Sequence, residues 1–67
     1  MSQAKYPHIQ VTLSGTSGNA LSLVGAVERG LRRADVDPAE IQQFRKEALS
    51  GDYDHVIQTA MRWVDVD

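Results

Sequence analysis

The sequence predicts a small, mostly helical α+β domain, and three observations carry that prediction. Apolar and polar residues alternate over His8–Leu13, apolar residues take helical spacing from Ala20 onward, and the stretches around Asp37 and Gly51 carry helix start and stop signals. The expected order is an N-terminal strand, three helices and a candidate short C-terminal strand, in one domain spanning 1–67.

Residues 1–7 read as a polar, flexible start in which Pro7 favours extended backbone at Tyr6. In HIQVTL, Ile9, Val11 and Leu13 share one side and His8, Gln10 and Thr12 the other, the period of a strand with one buried face. A lone strand leaves its backbone groups unmet, so it needs a neighbour. The candidates are WVDVD at the C-terminus, or the same strand in a second subunit. Glycines 15 and 18 interrupt the strand pattern, and Asn19 is a good N-cap for a helix beginning at the next residue.

Helix one is predicted from Ala20, with Ala20, Leu21, Val24, Val27, Leu31 and Ala34 on its apolar face. Gly25 and Gly30 each cost about 1 kcal/mol in a helix, so close packing against another element is the expected reason for them. In DVDPAE, Asp37 is an N-cap, Pro38 opens helix two and Glu40 completes a capping-box-like pattern. Ile41, Phe44, Ala48 and Leu49 form its expected buried stripe, and Ser50 and Gly51 end it, Gly51 being suited to left-handed backbone. Helix three starts at Asp52, with Asp52 and Asp54 complementing its dipole and Tyr53, Val56, Ile57, Ala60, Met61 and Val64 facing inward. Helix one is expected to pack on Ile9, Val11 and Leu13, and the hairpin of helices two and three to close the core.

At 67 residues, only roughly 60% of the unfolded surface is buried on folding. Zero cysteines remove disulfides and thiolate metal sites, which makes self-association the leading way to bury more apolar surface. The 42% hydrophobic and 24% charged content excludes disorder as the expected state. A formal charge of -2 supplies no overall attraction to nucleic acid or anionic membrane, although a local basic patch is compatible with it. No apolar run approaches the ~20 residues of a membrane span, and MSQAKYPHIQ lacks a signal peptide's apolar stretch, so a cytoplasmic location in a bacterial or phage host cell is expected.

Four groups of residues are candidates for chemistry or contact. Gly15, Thr16, Ser17, Gly18 and Asn19 form a strand-to-helix loop that reads first as a tight turn and second as a cradle for a nucleotide or other phosphate-bearing ligand. The loop lacks GxxxxGK[ST] and GxGxxG spacing. Asp52, Tyr53, Asp54 and His55 place carboxylates beside an imidazole, the types needed for general base work. No nucleophile is paired with them in the sequence, so capping and a helix-end hydrogen bond from His55 are the first reading and no enzyme is expected; His55 with Asp52 or Asp54 would be the centre of one. His8 and His55 are the only histidines, and neither a metal nor a cofactor is expected. Arg29, Arg32 and Arg33 lie on the solvent side of helix one, where Glu28 is spaced to pair with Arg32; this reads first as a solvated face and second as a phosphate contact. Trp63 reads as a core anchor, and with Arg29, Arg32, Arg33, Tyr53, His55 and Arg62 as a partner contact.

At GNALSLVG and SGDYDHVIQTAMRW the sequence resembles a group of short hypothetical proteins of phages, actinobacteria and other bacteria, over residues 8–66. Gly18, Asn19, Gly25, Gly51, Asp52, Tyr53, Asp54, His55, Gln58, Thr59, Arg62 and Trp63 match the pattern. The resemblance implies a bacterial or phage accessory protein and transfers no activity and no residue role. The function expected first is a non-catalytic module that binds a protein partner and itself. A phosphate-ligand binder using GTSGN comes second, and a nucleic-acid-binding regulator using the helix-one arginines comes third.

Overall fold

A computed structural model describes residues 4–12 and 19–66. Strand β1 (Tyr6–Val11) leads to helices α1 (Ala20–Arg33), α2 (Pro38–Ala48) and α3 (Tyr53–Trp63), and strand β2 (Val64–Val66) comes directly after α3. The result is a small α+β domain: three mutually packed helices against a two-stranded sheet. Leu13 and residues 14–18 lie outside the described residues.

The strand's neighbour is the C-terminal segment, and the pairing is parallel. A parallel pair needs a crossover, here supplied by all three helices. The register runs Tyr6 to Val64, Gln10 to Asp65 and Val11 to Val66, with an irregularity between Tyr6 and Gln10. Pro7 lies in that interval and has no N–H to give to a ladder. β1 begins two residues before the alternating segment, and the Lys5 N–H donates to the Arg62 carbonyl at 2.8 Å, so the chain from Lys5 onward is held rather than loose.

Local capping chemistry sets the helix starts as the residue types require. The side chains of Asn19, Asp37 and Asp52 accept from the backbone N–H groups of Leu21, Ala39 and His55 at 2.8, 3.0 and 2.9 Å. The carboxylate of Glu40 is engaged elsewhere than in a capping box: it accepts from the Tyr6 hydroxyl at 2.8 Å and pairs with Lys5 at 2.6 Å.

The faces differ from the expected ones in places. On α1 the buried residues are Leu23, Val24, Val27, Glu28 and Leu31, while Leu21 is 56% exposed and Ala34 is exposed. The buried stripe is rotated because α1 meets both β1 and the other helices. Leu49 caps the end of α2 and stays exposed, and Tyr53 and Met61 of α3 face outward while Thr59 is fully buried. Phe44, with no exposed surface, sits under the Trp63 ring in an edge arrangement with centroids 5.5 Å apart, which closes the core between α2 and α3.

Three glycines differ in what surrounds them. A Cβ on Gly30 would meet Val11 Cγ2 at 3.0 Å and Ile9 Cγ2 at 3.4 Å, so α1 approaches β1 there, as expected. Gly25 has open space around it, so close packing does not explain it. Gly51 is not in the left-handed region; a Cβ there would strike His55 Cγ at 2.7 Å.

Candidate functional site

The α2–α3 junction is built around His55. Its Nε2 lies 2.9 Å from the Glu47 carbonyl, 3.2 Å from Ser50 Oγ and 3.4 Å from Thr59 Oγ1. A carbonyl only accepts, so the contact with Glu47 requires a proton on Nε2. Ser50 Oγ donates to the same carbonyl at 2.7 Å. Ser50 is thus the hydroxyl beside His55 that sequence order alone did not single out, yet the proton directions oppose nucleophile activation, because a general base must accept the hydroxyl proton through a free lone pair. Neither neighbouring carboxylate orients the ring: Asp52 accepts from the His55 backbone N–H, and Asp54 accepts from Gln58 Nε2 at 3.3 Å. The arrangement satisfies the Glu47 carbonyl at the C-terminal end of α2, the helix-end hydrogen bond foreseen for His55.

A second cluster gathers where β1 begins. Trp63 is 5% exposed, its Nε1–H donates to Glu47 Oε1 at 3.4 Å, and Lys5 Nζ sits 4.5 Å above its ring centroid. Tyr6 leans on the same indole with centroids 6.2 Å apart. Trp63 is therefore a core anchor whose surface is already occupied by Lys5, Tyr6, Phe44 and Glu47. The Glu40 carboxylate joins Lys5 and Tyr6 from α2. The hydrogen bond from Lys5, then that from Tyr6, holds the Glu40 carboxyl below its ordinary value, and the bond to Glu40 raises both the Lys5 ammonium and the Tyr6 phenol above theirs.

The basic residues collect on a third surface. Arg29, Arg32 and Arg33 are all exposed on the C-terminal half of α1. Glu28, which is nearly buried, pairs across to Arg45 Nη1 of α2 at 3.0 Å instead of with Arg32 along its own helix. Pairing across the interface satisfies a carboxylate that α1 turns inward and ties α1 to α2. Arg32 and Gln42 line a groove where the end of α1 meets the start of α2. Five of the seven lysines and arginines (Arg29, Arg32, Arg33, Arg45 and Lys46) fall on these two helices. Arg45 and Gln42 were not singled out by sequence reasoning for this surface; the polar residues Gln42, Gln43 and Lys46 at helical spacing were the available signal.

The connection between these helices has its own geometry. Asp35 holds φ 62°, the Val36 N–H donates to the Leu31 carbonyl at 3.0 Å, and the Asp35 N–H donates to the Arg32 carbonyl at 3.0 Å. That pair of bonds is a Schellman motif with Asp in the position glycine usually takes.

The other sequence-derived residues are placed apart. Gly15, Thr16, Ser17 and Gly18 lie outside the described residues, and the side-chain oxygen of Asn19 is committed to the helix cap. Tyr53 is 42% exposed at the start of α3 and Arg62 is exposed near its end. Among the described residues, no group of three His, Asp or Glu is placed to hold a metal ion, and no helix is long and apolar enough to cross a membrane. No protein-family model matches this chain, and neither the curated proteins nor the solved structures contain a significant match to it.

Proposed function

We propose that the protein is a non-catalytic interaction module, acting in the cytoplasm of a bacterium or phage host, that binds a protein partner and a second copy of itself through the open edge of β1 and adjoining helix surface. One observation carries this reading: the sheet has two strands, so among the described residues each strand has one neighbour and keeps an outer row of backbone donors and acceptors without a strand partner. Such an edge is a template for another extended segment. β2 is short and carries Asp65 outward, which blunts its edge, whereas β1 runs for six residues. Exposed Leu21 and Met61 add apolar area on the helices. A thin core without disulfides gains most from added burial, which favours association over a monomeric life.

The test is sedimentation equilibrium across about 1 to 100 μM protein, where mass action makes association visible. The expected result is a mass that rises toward the dimer with concentration. A compact monomer throughout that range overturns the self-association on which the reading rests.

A further inference from the structure

We propose that α1, the turn Ala34–Asp37 and α2 form a helix-turn-helix-like head that binds duplex DNA, with the outer side of α2 in the major groove and the α1 arginines on phosphates. The connection between Arg33 and Pro38 is four residues long, the length that joins the helices of such a unit. It turns at a single left-handed residue, Asp35, and half-buried Val36 packs against the core directly after it. The second helix is therefore held at a defined angle by backbone hydrogen bonds and an apolar peg.

The two sides of α2 then divide the labour. Ile41, Phe44 and Ala48 are buried, fixing the helix from behind. Ala39, Gln42, Gln43 and Lys46, spaced by three and four, are exposed on the other side. That side carries no large apolar residue between Ala39 and Lys46, which suits a hydrated groove better than an apolar partner. Glutamine amides match the donor and acceptor pair of adenine, lysine matches the acceptors of guanine, and a small residue near the helix start allows close approach.

Charge is arranged to fit a phosphate backbone. Arg29, Arg32 and Arg33 share one exposed turn of α1, and Arg32 borders the same groove as Gln42. Of the nearby acids, Glu28 is paired with Arg45 and Glu40 with Lys5, Glu47 accepts from the Trp63 N–H, and Asp37 keeps its charge while capping α2 at the edge of that groove. Asp35 remains at the turn. Residues 20–48 carry five basic and five acidic side chains within a chain of net charge -2, so the attraction to phosphate rests on the local cluster of exposed Arg29, Arg32 and Arg33.

Fluorescence anisotropy with a mixed-sequence duplex pool of about 30 base pairs tests the proposal. Binding is expected at about 50 mM salt, weakening about 40-fold by about 200 mM if Arg29, Arg32 and Arg33 each meet a phosphate. Replacing Arg32→Gln and Arg33→Gln together, at exposed positions, should lower the salt slope by about 2. Replacing Gln42→Ala and Gln43→Ala should leave that slope unchanged while broadening the sequences selected from the pool. No duplex binding at about 50 mM salt overturns the proposal, as does an unchanged slope in the arginine variant or equal binding of single-stranded DNA or polyglutamate. The residues involved are not those of the β1 edge, so this result and the sedimentation result can fail independently.

Discussion

The two interhelical turns solve the same problem with opposite residues. Between α1 and α2 the backbone enters the left-handed region at Asp35, where a glycine would be at ease. Between α2 and α3 a glycine is present at Gly51, yet its backbone is not left-handed, and what it provides is room for the His55 ring. The lesson is that a glycine after a helix records one of two demands, a positive φ or a missing Cβ, and only the neighbouring elements reveal which.

Three substitutions probe this contrast, in decreasing order of effect. Phe44 lies on α2 between the two turns and supports both from within the core, so Phe44→Ala should remove about 3 to 5 kcal/mol. For a domain this small that is most of its stability, and the cooperative thermal transition should vanish. A melt near the parent temperature would mean that the turns hold without the shared core.

Gly51→Ala comes next. The new Cβ meets the near end of the His55 side chain, which cannot swing aside without leaving the Glu47 carbonyl, and the expected cost is about 1 to 3 kcal/mol. Thermal melts of Gly51→Ala, His55→Ala and the double variant should show the second change costing much less once the first is made. Strictly additive losses would contradict the steric account. At the other turn, Asp35→Gly should raise stability by about 0.5 to 1 kcal/mol, seen as a melting temperature higher by about 2 to 8 °C. A lower melting temperature there would show that the Asp35 side chain, and not only its backbone, is needed.

The candidate surfaces were legible to the same mixed degree. That His55 meets a helix end, that Trp63 belongs to the core and that Arg29, Arg32 and Arg33 face solvent can all be read from spacing and side-chain type, because each follows from the residue's own chemistry and its position on its helix without naming the partner. The role of Ser50 beside His55 and the pairing of Glu28 with Arg45 could not, since each joins two elements whose relative placement no local pattern encodes. Leu21 and Leu23 illustrate the limit on α1. Both fit an apolar stripe, and only contact with β1, α2 and α3 decides that Leu23 is buried and Leu21 is not.

Sequence alone determined where the helices begin and what type each main element is. Asn19, Asp37 and Asp52 cap their helices through bonds reaching two or three residues, and Ile9 and Val11 alternate inward by the pleat of a strand. Tertiary structure decided how those elements meet: the parallel pairing of β1 with β2, the turning of Glu40 toward Lys5 and Tyr6, and the use of Gly51 as space for His55. The physical reason is range. Capping and periodicity are satisfied within a few residues, whereas burial and inter-element hydrogen bonds are settled between groups far apart in the chain, where competing partners are chosen by packing the whole domain.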